Sequence, residues 1–180
     1  MALSKIVLAI DLGGNRHLQV HEDNEVFIKD MVSTKCAFFT ASRWKRFVGM
    51  IADIDRHVQL ASVGKTTKYR EHIGGSWHVS VDSTYPNVNI RRWYEDSMSV
   101  LKPSRVGIAL SYWNWDKLKN AIDKVHDQIP ALVAISPCWH DSQIELMFCD
   151  ECSPYHKMED VDDVRAAEAA EKLMIDTRSV

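Results

Sequence analysis

Val88-Asn-Ile-Arg-Arg-Trp-Tyr-Glu-Asp96, followed by Lys102-Pro-Ser-Arg-Val-Gly-Ile-Ala-Leu110 and then Trp115, is the stretch whose reading decides the fold. Val88–Tyr94 is rich in β-branched and aromatic residues, Glu95–Ser99 is a turn, and Val106–Leu110 is a second strand. Ser111 then stands where a helix cap belongs. Trp115, Leu118, Ile122 and Val125 recur at helical spacing, and Pro130 stops the helix. Upstream, His78–Asp82 alternates as a strand, and Ser83–Asn87 holds a proline turn.

Working outward, the first half repeats this plan. Ser4–Leu12, Arg16–Glu22, Glu25–Met31 and Lys35–Phe39 read as strands, with turns at Gly13-Gly14-Asn15 and Asp23-Asn24. Thr40 caps a helix of about five turns whose apolar stripe is Trp44, Phe47, Val48, Ile51, Ile54 and Val58. An offset of 71 places Thr40 on Ser111, Phe39 on Leu110, Trp44 on Trp115, Phe47 on Leu118 and Ile51 on Ile122. The expectation is an α+β protein of two tandem units, each a curved antiparallel sheet with one helix behind it. The units are residues 1–63 and 64–130, with Gly64–Arg70 read as a basic linker. Residues 131–180 form an acidic C-terminal extension with a strand at Ile144–Phe148 and a helix at Val161–Ile175. Two like units pack by two-fold symmetry, so an intramolecular pseudo-dimer is expected, and further homo-oligomerisation stays open.

Composition narrows the function classes. The 180 residues are 46% hydrophobic and 26% charged, enough apolar material for a core and far from disorder. No apolar run reaches the roughly 18 residues of a membrane span, and Ile6–Ile10 is too short for a secretory core. Four cysteines without a regular framework fit a reducing compartment. The net charge of −3 divides unevenly: +1 over residues 1–63, +3 over 64–130 and −7 over 131–180. The body is therefore mildly basic, which fits a nucleic-acid partner, although such an acidic appendage is often only a solubilising tail.

The quoted stretch resembles the positive cofactor four family of transcriptional coactivators. The likeness rests on the Ile90-Arg91 strand with its Trp93-Tyr94 pair, the Lys102-Pro-Ser-Arg-Val-Gly-Ile-Ala-Leu110 strand at the family's spacing, and the Trp115 helix. It covers roughly residues 75–130, with His78–Val81 similar to the family's first strand. Ser104 stands in place of a glycine and Val106 in place of a lysine, so this face is less cationic than the family norm. Two such units in one chain is also the arrangement of the related Whirly single-stranded DNA-binding proteins. The resemblance implies a non-enzymatic, nuclear single-stranded DNA-binding protein working in transcription or genome maintenance. Single-stranded DNA, or else RNA, and proteins of the transcription machinery are the implied partners.

Single strands are held by cations that track phosphates and by aromatic faces that stack bases. Arg91, Lys102 and Arg105 on neighbouring strands, with Arg92, Tyr94 and Tyr85, are the expected nucleic-acid-binding residues; surface ion pairs with Glu95 and Asp96 are the plainer alternative. Trp77 and Trp93 are expected under the helix, and Trp44 and Trp115 in the core or between units. In the first unit His17, Gln19, His21 and Lys29 occupy the open face, while Arg43, Lys45, Arg46 and Arg56 form the helix's solvated side. The other class of function is a protein-interaction module of the same fold, acting through its helices or tail. No catalytic residues are expected, since Gly13-Gly14 and Gly74-Gly75 lack a phosphate-loop pattern. Cys138, His140, Cys149, Cys152 and His156 have residue types compatible with tetrahedral zinc. An intervening strand and a single Cys-x2-Cys speak against it, and buried free thiols with surface histidines is the plainer reading.

Overall fold

The computed structural model describes residues 5–153, apart from 97 and 139. The expected acidic helix at Val161–Ile175, and His156, lie outside them. The first four strands are β1 (Ile6–Gly13), β2 (Arg16–His21), β3 (Val26–Asp30) and β4 (Cys36–Phe39), an antiparallel sheet in sequence order. Helices α1 (Ala41–Gly49) and α2 (Ile51–Ser62) follow. The second sheet is β5 (Lys68–Gly74), β6 (Trp77–Asp82), β7 (Tyr85–Glu95) and β8 (Leu101–Ser111), again in sequence order, and α3 (Tyr112–Gln128) follows it. Two short helices, α4 (Ala131–Ala134) and α5 (Gln143–Phe148), close the described chain. This is the expected α+β plan of two sheets, each followed by helix. No helix among the described residues is long and apolar enough to cross a membrane.

Local chemistry sets the helix starts. The Thr40 hydroxyl accepts from the Arg43 amide at 3.3 Å, and Ser111 forms a reciprocal capping box with Asn114. The first helix, expected as one, breaks at Met50 just past Gly49, where low helix propensity weakens the ladder. Strand alternation sends Leu18, Val20, Val26, Ile28, Ala37 and Phe39 inward from the first sheet. Val79, Val81, Val88, Ile90, Ile108 and Leu110 do the same in the second, and Trp44 and Trp115 are fully buried.

Three readings are corrected. Gly64–Arg70 is not all linker: β5 begins at Lys68, pairs with β6 from Lys68↔Asp82 to Gly74↔Trp77, and alternates Lys68, Arg70, His72 against Tyr69, Glu71, Ile73. The polar composition of one face hid this strand. Ile144–Phe148 is helical, because the Ser142 hydroxyl accepts from the Glu145 amide and starts a turn within the apolar run. Arg43, Lys45 and Arg46 are not a solvated face. Arg43 pairs with Glu151 at 3.1 Å, Lys45 donates to the Val133 and Ile135 carbonyls at 2.7 and 2.5 Å, and Arg46 donates to Cys152 Sγ at 3.5 Å.

Helices cross between the halves. α3 packs on β1, and α2 packs on β6 and β7. The Trp44 indole N–H donates to His126 Nε2 at 3.3 Å, and the Trp115 indole N–H donates to Asp55 Oδ1 at 3.1 Å. Both donors and both acceptors are related by the offset of 71. The helix N-termini are placed in the same reciprocal way. Asn114 Nδ2 donates to the Leu12 and Gly13 carbonyls, both at 2.9 Å, and the ring of Trp113 occupies the space a Gly13 Cβ would take. At the matching position of α1, Arg43 lies against the Gly74-Gly75 turn.

Asp55 also holds Lys119. Burial pushes its carboxyl upward, but hydrogen bonds from Lys119 and Trp115 outweigh this and hold it below the ordinary 3.8. A carboxylate whose folded pKa is lowered contributes stability above the unfolded value and loses it as pH falls. Asp55→Ala leaves the Trp115 N–H without its acceptor and is expected to cost about 1–3 kcal/mol in urea unfolding near neutral pH. The wild-type advantage should shrink below about pH 4; an advantage that stays constant through acid would show that the carboxylate is not its source.

Candidate nucleic-acid interface

The second sheet buries one face and leaves the other open. Pairing of His78 with Arg91 and Ser80 with Asn89 puts these four residues on the open face, along with Lys68, Arg70 and His72 of β5. Trp93 is there too. Its ring lies 4.7 Å beneath the Arg70 guanidinium and 5.6 Å from His78, which in turn is 5.1 Å from His72. Trp93 therefore departs from the core position expected for it, whereas Trp77, on the opposite face, keeps one. A groove of about 570 Å³ runs here, lined by Lys68, Arg70, Ser80, Asp82, Trp93 and Leu101.

Arg91 is held across the sheet. Its Nη2 donates to Asn89 Oδ1 at 2.8 Å and its Nη1 to the Ser104 carbonyl at 3.2 Å, while its buried Nε has no partner. Burial lowers its pKa, because desolvation penalises the cation and both acceptors are neutral. Its partner position is Gly107, at φ +141°, where a Cβ would collide with the Arg91 Cβ and the Ile90 carbonyl. Only glycine lets the Arg91 side chain pass so close to β8.

The other expected residues are distributed along the β7–β8 hairpin. Tyr85 opens β7 and is 63% exposed, nine residues of strand, at most about 30 Å, from Tyr94 near the other end. Tyr94 and Arg92 alternate away from Arg91. Tyr94 pairs with Lys102, and Arg92 Nε donates to Ser76 Oγ at 2.7 Å. Lys102 binds Asp96 at 2.5 Å, and this hydrogen bond, with two backbone amides, holds the Asp96 carboxyl at about 2. Arg105 is exposed in a bulge, since β8 residues 104–106 lie between the partners of Arg91 and Trp93. The structure thus gathers Lys68, Arg70 and Trp93, which were not among the expected binding residues, around one groove, with Arg91 on the same face of the sheet and Tyr85 at the other end of β7. The signal for the missed pair was the period-two spacing Lys68-x-Arg70-x-His72.

The first sheet's open face carries His17, Gln19, His21 and Lys29 as expected, together with Phe27 and Phe38. His21, Phe27 and Phe38 form a ladder with centroid spacings of 4.6 and 5.1 Å, and the Lys29 ammonium sits 4.5 Å over Phe27. Near the C-terminal end of the described residues, Cys138, His140, Cys149 and Cys152 gather into one cluster, with all four candidate ligand atoms within 4.8 Å of one another.

Residues 84–121 match the family model described as Transcriptional Coactivator p15 (PC4), a family of non-enzymatic, single-stranded DNA-binding coactivators. The matched segment runs from the β6–β7 turn through β7 and β8 into the middle of α3. The expected resemblance is borne out over this segment. No curated protein and no solved structure matches the chain.

Gly107→Ala forces both a positive φ and a collision at Arg91, and is expected to destabilise the fold by about 1–3 kcal/mol in urea unfolding. A variant as stable as the parent would mean that β8 can move away from Arg91.

Proposed function

We propose that the chain binds single-stranded DNA on the open face of the β5–β8 sheet, as a transcription-linked factor acting in the nucleus. The observation that carries the reading is Trp93 in an open groove under Arg70, flanked by Lys68 and by Arg91, whose acceptors are neutral. A cation resting on an exposed aromatic ring contributes about 0.5–1 kcal/mol. A stacked base contributes about 1–3 kcal/mol. A base therefore displaces the guanidinium from Trp93, and the freed Arg70 turns to a phosphate. Arg91, immobilised by Asn89 and the Ser104 carbonyl, meets a second phosphate with little further loss of side-chain freedom.

On this reading residues 1–63 and 64–130 are two units of an intramolecular pseudo-dimer, and 131–180 is an appendage. The second unit is the principal binding surface. Arg105 extends the track in the β8 bulge and Tyr85 marks its far end, while Lys102 and Tyr94 lie on the opposite side of the hairpin and Arg92 supports the sheet through Ser76. The first unit offers aromatic faces with fewer cations and contributes less.

Fluorescence anisotropy with labelled single-stranded DNA, its RNA counterpart and a duplex, each at two salt concentrations, tests this. Trp93→Ala is expected to weaken single-strand binding by about 5- to 150-fold, the equivalent of one stacked base. Arg70→Ala with Arg91→Ala should reduce the slope of log affinity against log salt by about 1.4, two single-strand phosphate contacts. Phe27→Ala should retain most of the affinity. Absence of binding at low salt, or affinity unchanged in both the Trp93 and the double-arginine variants, overturns the assignment.

A further inference from the structure

Residues 131–153 are too sparsely packed to hold their own shape. Among the described residues only Leu132 of their large aliphatic and aromatic side chains is buried, while Ile144, Met147 and Phe148 are 66%, 47% and 82% exposed. Segments this short ordinarily need a staple in place of a core. The chain nevertheless folds back on itself here. The α5 turn spans most of the eight residues between His140 and Cys149, rising only about 1.5 Å per residue where a strand would rise about 3.3 Å. The helix therefore removes the obstacle that a strand posed, and returns Cys149 to His140.

What the fold brings together is three thiols and one imidazole. Cys138, Cys149 and Cys152 are all free, and all lie with His140 inside 4.8 Å. Tetrahedral zinc with Zn–S of about 2.3 Å and Zn–N of about 2.0 Å needs its ligand atoms roughly 3.3–3.8 Å apart. A closure of about one ångström therefore suffices. The Cys149–Cys152 turn is tied by amides of Cys152 and Ser153 donating to the Cys149 carbonyl at 3.2 and 2.9 Å. Two observations outside the thiols fit a cation held among them. His140 Nε2 is buried without a hydrogen-bond partner, a costly state unless it is a ligand. Arg46 reaches Cys152 Sγ, placing a positive charge where three thiolates on one divalent ion leave a net negative one.

The geometry points to a structural zinc site formed by Cys138, His140, Cys149 and Cys152. Soft thiolates with one imidazole select zinc over the hard divalent ions. Four protein ligands leave no open position, so the site is a clasp rather than a catalytic centre. It fastens the extension to the α1 N-terminus, where Glu151 bonds Arg43 and Thr40, and to the β5–β6 turn, where Gly74 leaves room for the Glu151 carbonyl. The site is independent of the nucleic-acid reading.

The full chain, produced intracellularly and purified without added metal, is expected to carry about one zinc per molecule by elemental analysis. After chelation under reducing conditions, titration with cobalt should give the visible bands of a tetrahedral ion and a thiolate charge-transfer band, saturating at one equivalent. Cys149→Ser should abolish zinc retention, and Cys36→Ser, a cysteine on β4 outside the cluster, should leave it intact. His140→Cys should keep the metal and shift the cobalt spectrum, a change that a merely packing role for His140 does not produce, so the test survives should the serine variant fail to fold. Failure of the reduced wild-type protein to take up either metal overturns the site. So does zinc retained in full by a folded Cys149→Ser variant, or a disulfide among these three cysteines in the freshly purified protein.

Discussion

Two buried indole N–H groups, one from each half, connect this molecule. Trp44 reaches His126 and Trp115 reaches Asp55, and all four positions obey one offset. A buried indole without an acceptor costs about 1–3 kcal/mol. Neither half contains the acceptor for its own tryptophan. Each helix is therefore completed only by the other, and the same holds at the helix starts, where Asn114 and Arg43 occupy the opposite unit's Gly-Gly turn. An isolated half would expose its tryptophan stripe and leave its turn uncovered.

That constraint decides which surfaces remain free. Because the helices exchange contacts, each sheet has its apolar face covered and its other face open. The open faces are where chemistry is expressed, and there the halves differ. The second carries Lys68, Arg70 and Arg91 around Trp93; the first carries an aromatic ladder with one cation over it. A shared fold has thus been given unequal polar surfaces, as expected when packing fixes the buried positions and leaves the exposed ones free to diverge.

The buried half of this architecture was legible in the sequence, and the exposed half much less so. Period-two and period-3.6 patterns, the Thr40 and Ser111 caps and the offset of 71 report burial, which is what patterns encode. Trp93 was misjudged because residue type argues for burial, whereas the strand's alternation, set by Val88 and Ile90, sends position 93 outward. The start of β5, Lys68–Arg70, reads as linker because its open face is cationic and it carries few β-branched residues. The α5 turn was missed because a six-residue apolar run does not distinguish helix from strand; a single serine cap decided it.

The C-terminal segment accounts for the asymmetry between the units. Arg43, Lys45 and Arg46 of α1 are spent on Glu151, on two carbonyls and on Cys152. At the matching positions α3 carries Asn114, Asp116 and Lys117, which among the described residues bond the Leu12 and Gly13 carbonyls, Lys119 and the Trp113 ring rather than the extension. One unit's basic helix edge therefore serves as the anchorage for residues 131–153, and those cations are withdrawn from any role on a phosphate backbone. The extension also reaches α3 through α4, whereas the second unit's Lys68, Arg70 and Arg91 stand on its sheet. Within the described residues the Glu151 carboxylate is thus matched by Arg43 at the edge of α1, while the carbonyl of the same residue seats on the β5–β6 turn of the second unit.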